Sequence, residues 1–306
     1  MVLTFLDITG YCQEKCGVIL DASTYQPIPY AIIHYRATPQ GMYASDKGTF
    51  CLARPAGKVD SVLISTLGYA PSTLALSDFL KKDTIYLKAV AIPLREVVVR
   101  SNNRTLQSRL IGYSKKPLLE LQSFGFAHNS NATLATYIPN ELRQTSVINR
   151  VYCRLTPKKN DLVKNFRVAL RLYSHDRVKQ LPGQDLLPEL VIADVPFDGK
   201  EIKFDVANFG LAVPADGFWI GVSCVGYTDK EGHYKQNQDR EFGKFTLSET
   251  KKMKINTIEH IAPMYNFTKA TDALPHSSVS SNWSGKWLPR TERPNMAFCF
   301  GADVVW

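Results

Sequence analysis

From residue 16 to about residue 101, short apolar runs alternate with clusters of turn-forming residues every roughly eight to twelve positions. That spacing predicts a small antiparallel β-sandwich. The run GVILD is a first strand, and the turn-rich stretch from Asp21 to Pro27 follows it. Pro27 and Pro29 flank Ile28; neither proline can donate a ladder hydrogen bond, which places this piece at a sheet edge or in a loop. Residues 30–37 read as an apolar strand. Ser45-Asp46-Lys47-Gly48 is a tight turn, with Gly48 at positive φ and Asp46 capping the backbone. Beyond it Phe50 and Leu52 alternate with Thr49 and Cys51, as on a half-buried strand. Residues 61–69 form another strand, in which Gly68 marks a bulge or a close backbone approach. One or two helical turns fit residues 74–82, and strands at 83–88 and 94–99 complete the set.

The pattern continues in the rest of the chain. Residues 165–173 (NFRVALRLY) alternate cleanly: Phe166, Val168, Leu170 and Leu172 are predicted inside, Arg167, Ala169, Arg171 and Tyr173 outside. Residues 143–155 alternate in part, with Val147, Val151 and Cys153 on one side. Further strands are expected at 190–195, 200–206 and 217–227, with Trp219 in the core, and late strands at 257–267 and 296–305. The charged stretch from 228 to about 254 reads as a long loop or an irregular hairpin. Residues 101–124 are polar and basic with few periodic apolar positions, which predicts a linker. The division is therefore a front domain over 1–100, a linker over 101–124 and a second β-sandwich over 125–306, jelly-roll-like in its strand series. No helix beyond two or three turns is predicted.

At 306 residues and 44% hydrophobic, the chain has material for two cores. It contains no run of 18 apolar residues, so no membrane-spanning helix is expected. The first residues, MVLTFLDITGYCQEKCG, lack a basic start, Asp7 interrupts the apolar stretch, and Tyr11-Cys12 is not a lipobox. The expectation is an extracytoplasmic protein whose native signal peptide is absent from this sequence. The net charge of +9 is interspersed with acids, as at Asp229-Lys230-Glu231 and Asp239-Arg240-Glu241. A nucleic-acid binder concentrates such charge on one face or helix, so no nucleic-acid partner is expected. A weak preference for acidic surfaces or polyanionic glycans and a plainly solvated surface both fit.

Cys51, Cys153, Cys224 and Cys299 lie in β runs and read as buried structural thiols. Cys12 and Cys16 are spaced for neither a zinc site nor a redox pair. A disulfide from either fits an oxidising compartment, with its partner left open.

The order of pieces in the front segment is specific: G-V-x-x-D, P-I-x-Y-A-x-I, S-D-x-G-x-F, S-x-L-G-Y and L-x-E-V-V-V. It resembles the carboxypeptidase-regulatory-like domain at the front of many cell-envelope proteins of Bacteroidetes. The resemblance implies an Ig/transthyretin-like sandwich serving as an accessory module, without the zinc-binding residues of a peptidase. More loosely, the series from Phe166 to Tyr173, Pro182 to Leu187, Ile202 to Val206 and Val213 to Gly221 resembles the sandwich that often follows it. Jelly rolls of this kind often have adhesion or carbohydrate-binding roles, so an envelope or surface binding protein is implied. The segment Leu94-Arg-Glu-Val-Val-Val99 also resembles the run that leads into outer-membrane transporters, but the remaining chain lacks strands for such a barrel.

Catalytic patterns are not found. His34, His128, His175, His233, His260 and His276 form no metal-binding spacing. His175-Asp176 reads either as a base with its orienting acid or as a turn dipeptide. There is no nucleophile elbow, phosphate loop or carboxylate pair, and no catalytic residue, metal or cofactor is expected. The candidate ligand surface is aromatic: Trp283 and Trp287 for stacking on sugar rings, with Asn282 and Lys286 for hydrogen bonds. The competing reading has these indoles plugging the open end of the sandwich. The partners that fit are a glycan or another envelope protein. An enzyme or accessory subunit of polysaccharide processing, and an assembly component pairing through edge strands, are the alternatives. The oligomeric state is not legible.

Overall fold

The computed structural model describes residues 14–90, 107–113, 133–156, 163–236 and 263–306, apart from residues 39, 56, 143, 264, 272–273, 282–284 and 290–294, together with Thr246–Leu247 and Met253–Lys254. The protein is all-β. The front part runs β1 (Glu14–Asp21), β2 (Ile32–Tyr35), β3 (Gly41–Tyr43), β4 (Thr49–Ala53), β5 (Ser61–Ser65), β6 (Ser72–Ala75), the helix α1 (Leu76–Lys81) and β7 (Thr84–Leu87). Two sheets, ordered β4-β1-β7 and β3-β2-β5-β6, close over Ile19, Ile33, Phe50, Ile64 and Phe79. One detail departs from the antiparallel expectation: β1 and β7 pair in parallel. They are the first and last of the module's described strands and are not neighbours in sequence, so no hairpin constrains their direction.

Gly48 turns at φ +69 as expected, and a Cβ there would meet the Ile19 carbonyl at 2.7 Å. The cap is Ser45, however, and not Asp46. Ser45 Oγ accepts the backbone N–H of Lys47 and of Thr49, each at 3.1 Å. Ile28 between its two prolines is buried, and its N–H donates to the Ile19 carbonyl at 2.9 Å beside an isolated bridge from Pro27 to Leu20. The strand expected over 94–99 lies outside the described residues.

Cys51 is not a thiol. It stands directly opposite Cys16 in the β1–β4 register and is joined to it by a disulfide, with a Cα–Cα distance of 4.0 Å. Phe50 and Leu52 point into the core, so the alternation of β4 puts Cys51 on the outer face. Cys153, Cys224 and Cys299 are buried thiols outside any disulfide, as expected. Burial pushes those of Cys224 and Cys299 up to about 12, which keeps them uncharged.

The second part runs β8 (Ser108–Gly112), β9 (Thr133–Ile138), β10 (Val147–Arg154), β11 (Val163–Asp176), β12 (Leu181–Asp185), β13 (Val191–Pro196), β14 (Glu201–Asp205), β15 (Phe218–Asp229), β16 (Tyr234–Gln236), β17 (Thr246–Leu247), β18 (Met253–Lys254), β19 (Phe267–Lys269), β20 (Ser278–Ser281), β21 (Trp287–Pro289), β22 (Met296–Phe298) and β23 (Phe300–Val305). One sheet is ordered β14-β10-β23-β8. The other is β12-β11-β15-β9-β20-β21, with β13 attached to β11 and β16 to β15. Successive long strands switch between the two sheets, and the last strand enters between β10 and β8. That is the interleaved double Greek key of a jelly roll.

The topology corrects the linker at one point. β8 lies inside the segment 101–124 and forms the outer strand of the four-stranded sheet, pairing with β23 from Gly112↔Gly301 to Ser108↔Val305. Between the sheets, Phe166, Val168, Leu170 and Leu172 of β11 pack with Ile220 and Val222 of β15 and Phe298 and Phe300 of the late strands. The inside residues of β11 are those the alternation predicts.

The outside residues of β11 do not face open solvent. Ala169 is 2% exposed because the front module lies across it, and Tyr173 is 7% exposed, packed among Ala135, Trp219, Val279 and Trp287 of the jelly roll. Tyr30 and Tyr43 from the front pack with Ala169 and Val225 from the jelly roll, flanked by Ile32, Ile192 and Tyr234. Arg167 clasps the two parts together. Its Nε and Nη2 hold Asp194 at 2.6 and 2.7 Å, its Nη1 donates to the Tyr30 hydroxyl at 2.8 Å, and Asp46 lies 3.6 Å away. Its guanidinium also lies 5.3 Å from the ring centre of Tyr234. Tyr30 is held at φ +55, a conformation that costs a non-glycine residue roughly 1 kcal/mol or more, and these contacts offset it.

Candidate functional site

A cleft of about 670 Å³ opens where the front module meets the eight-stranded sheet, a size within the usual range of ligand pockets. The front wall comes from Leu63 and Ser65 of β5 and the loop from Thr66 to Pro71. In that loop Gly68 takes φ +83, and a Cβ there would lie 3.4 Å from the Pro188 carbonyl of the jelly roll. The close approach predicted for Gly68 is thus made across the two parts. The floor is the outer face of β11 and its neighbours: Arg171 and Tyr173, with Thr133 of β9, Asp185 of β12 and Ser281 of β20.

The polar groups of the floor are already in register with one another. Tyr173 pairs with Asp185 across β11 and β12, which brings the Asp185 carboxylate to Arg171 two residues earlier on the same face. Arg171 Nε donates to Asp185 Oδ1 at 2.9 Å, and its Nη2 donates to the other oxygen. The guanidinium lies 5.6 Å from the centre of the Tyr173 ring. Thr133 and Ser223 share a hydroxyl hydrogen bond of 2.7 Å beneath it. Burial raises the phenol of Tyr173 well above its ordinary value, with Arg171 acting against it, so the ring carries no charge at neutral pH.

Trp287 is the predicted ligand residue that the structure brings here. It sits on β21 opposite Ser281, half-buried, with its ring edge-on to Tyr173 at 5.2 Å and one side on the cleft. It therefore packs on the outer face of the sheet and does not plug the end of the sandwich. Lys286 beside it is exposed and is not part of the cleft lining. Asn282 and Trp283 lie outside the described residues. The sequence reading missed the partners of Trp287, namely Tyr173, Arg171 and Asp185. The signal was present in the alternation of β11, whose outer residues include two arginines and a tyrosine, but nothing local says what covers that face.

His175 and Asp176 are the last residues of β11, paired with Pro182 and Leu181 of β12 beside the hairpin turn. Asp176 Oδ1 accepts the N–H groups of Val178 and Lys179 at 3.0 Å each and caps the β11–β12 hairpin. His175 Nδ1 instead accepts from Trp219 Nε1 at 3.2 Å, which places the imidazole proton on Nε2. Trp219 is fully buried, but on the cleft side of β15, where it packs with Ala135, Tyr173 and Val279. It is a core residue as predicted, and the core it serves is the one under the cleft.

Among the described residues, two clusters have metal-type side chains. In the first, Glu14 lies beside Cys16 and Cys51, whose sulfurs are consumed by the disulfide. In the second, on the β15–β16 hairpin, the Asp229 carboxylate accepts the His233 N–H at 2.7 Å and lies 3.5 Å from Lys235 Nζ. Neither is assigned a metal.

Among the described residues, the buried His34 and the partly buried His175 set a pH dependence of stability. Burial lowers the pKa of His34 and of His175 below the ordinary 6.5. Below that value the unfolded chain takes up protons that the folded chain resists, so stability is full above about pH 6.5 and declines as the pH falls toward 5. Asp21, Asp176, Asp216 and Asp229 are shifted below 3.8 and contribute a separate loss at more acid pH. Thermal melting across pH 5–8 is expected to show this slope. His34→Phe, which removes the 3% exposed imidazole from β2, is expected to flatten it. An unchanged slope in that variant would remove His34 from the account.

Comparison with known proteins bears on the front part. No curated protein and no solved structure matches the chain. A family model described as CarboxypepD_reg-like domain matches residues 16–99, which span β1 to β7. Residues 16–99 are thus a CarboxypepD_reg-like domain, an Ig-like module that is itself non-catalytic.

Proposed function

We propose that this chain is a non-catalytic binding protein of the cell envelope or cell surface, and that it takes a glycan in the cleft between its two sandwiches. The observation that carries this reading is the placement of Trp287. A half-buried indole leans edge-on against Tyr173 at the rim of a cleft whose floor is hydroxyls and one Arg–Asp pair. Sugars match that surface: their axial C–H faces stack on aromatic rings, and their hydroxyls both donate and accept. The cross-strand disulfide on the outer face of the front module supports an oxidising, extracytoplasmic compartment. No helix of the described residues is long and apolar enough to cross a membrane.

A glycan array probed with the full chain tests the reading. Trp287→Ala is expected to weaken binding about five- to thirtyfold, the loss of one stacking contact of ~1–2 kcal/mol. Circular dichroism should be unchanged. Binding that survives Trp287→Ala would place the ligand elsewhere. An array without a hit would turn attention to protein partners and to the exposed edge strands.

A further inference from the structure

We propose that the cleft selects uncharged saccharides, and that Asp185 sets this selectivity by neutralising Arg171. The inference rests on the glycan reading of the cleft and goes beyond it by naming the ligand class. The chain as a whole carries +9, which by itself favours acidic ligands. The cleft does not share that charge. Among the described residues lining it, Arg171 and Asp185 are the only charged side chains, and they hold each other in a two-point pair. Both are about four-fifths buried, with side-chain exposures of 20% and 21%.

Three consequences follow from that geometry. The guanidinium is pinned between the carboxylate and the Tyr173 ring, so it presents directional N–H donors with no net charge around them. Asp185 adds acceptor oxygens beside those donors. Neighbouring sugar hydroxyls, each both donor and acceptor, match such a side-by-side array. Ser65, Thr66, Thr133 and Ser281 offer hydroxyls around it. A uronate, sialate or sulfate is disfavoured for the converse reason. To reach Arg171 it must displace Asp185 or lie against it, which leaves two anions together in a partly desolvated site.

The test compares neutral oligosaccharides with their uronic-acid, sialylated and sulfated counterparts on one array, using the full chain. The wild type is expected to bind neutral members at least about tenfold more tightly than acidic ones. Raising the ionic strength from about 0.05 to 0.5 M is expected to leave the neutral binding unchanged. Asp185→Asn frees the charge of Arg171 while keeping the shape of the side chain. It is expected to weaken neutral binding and to gain acidic ligands by about tenfold, with that gain lost in high salt. Preference of the wild type for acidic members overturns the proposal. So does neutral binding that depends on Trp287 while Asp185→Asn changes neither class, an outcome that leaves the glycan reading standing. No binding of either class removes both readings. Should Asp185→Asn fail to fold, the wild-type comparison and its salt response decide alone.

Discussion

Replacing Trp219 with alanine is expected to destabilise the protein by about 3–5 kcal/mol, the range for removing a fully buried large aromatic side chain. The magnitude follows from where the indole sits. It is wholly inaccessible to solvent, packed against Ala135, Tyr173 and Val279, with Tyr137 tilted against it at 5.5 Å. Its N–H is the donor to His175, and the truncation leaves that imidazole nitrogen without it. The neighbours cannot collapse into the gap, because β15 is paired on both sides, to β11 and to β9. The same truncation removes the support under Tyr173 and hence under Trp287, so ligand binding should fall with it. Urea denaturation of the wild type, Trp219→Ala and Trp219→Phe measures the effect; the phenylalanine variant should retain most of the stability. A cost below about 1 kcal/mol for alanine would show that the floor of the cleft repacks freely.

The disulfide is the second large contributor. Cys16 and Cys51 are 35 residues apart, and a loop of that size corresponds to about 3–4 kcal/mol of lost freedom in the unfolded chain. Cys51→Ser, or reduction with a thiol reagent, is expected to lower the stability of the front module by that amount. The two halves have separate buried cores, so the loss should show as an earlier transition confined to the front. The jelly roll is then expected to unfold near its original temperature. Calorimetry with and without reductant distinguishes this from a uniform downward shift. A melting curve indifferent to reductant would mean that the bond adds little beyond the sheet pairing around it.

What the sequence made legible, and what it hid, divide along the range of the interactions. Strand alternation is local, so Phe166, Val168, Leu170 and Leu172 announced the core face of β11 without help from the rest of the chain. The Gly48 turn was equally local. Its cap was misassigned to Asp46 because Ser45 and Asp46 are both capping residues one position apart. The longer-range partners were invisible. Cys51 reads as one more thiol in an apolar strand until Cys16 is seen across the ladder. β8 is five residues long and buries one side chain in the sheet, Ile111, so its membership depends wholly on β23. Arg167 and Arg171 read as solvated because their alternation says only that they leave the core. That face is covered by the front module, and Asp194 and Asp185 meet the two arginines there. Trp287 was found by residue type, while the aromatic and charged partners that give it a role lie far off in sequence.

The pairing of β8 with β23 has a consequence for how the molecule is made. Gln107 and Trp306 exchange backbone hydrogen bonds, in both directions, across a separation of 199 residues. β23 is also the strand that lies between β10 and β8, so one of the two sheets has a gap at its centre until the ribosome has delivered residues 300–305. The jelly roll therefore cannot reach its native form before that strand is available, however early its first strands emerge. Such long-range closure slows folding. It also leaves the edges of β10 and β8 unpaired with each other's sheet until the last strand arrives, so the closing step joins the two ends of the second half at once.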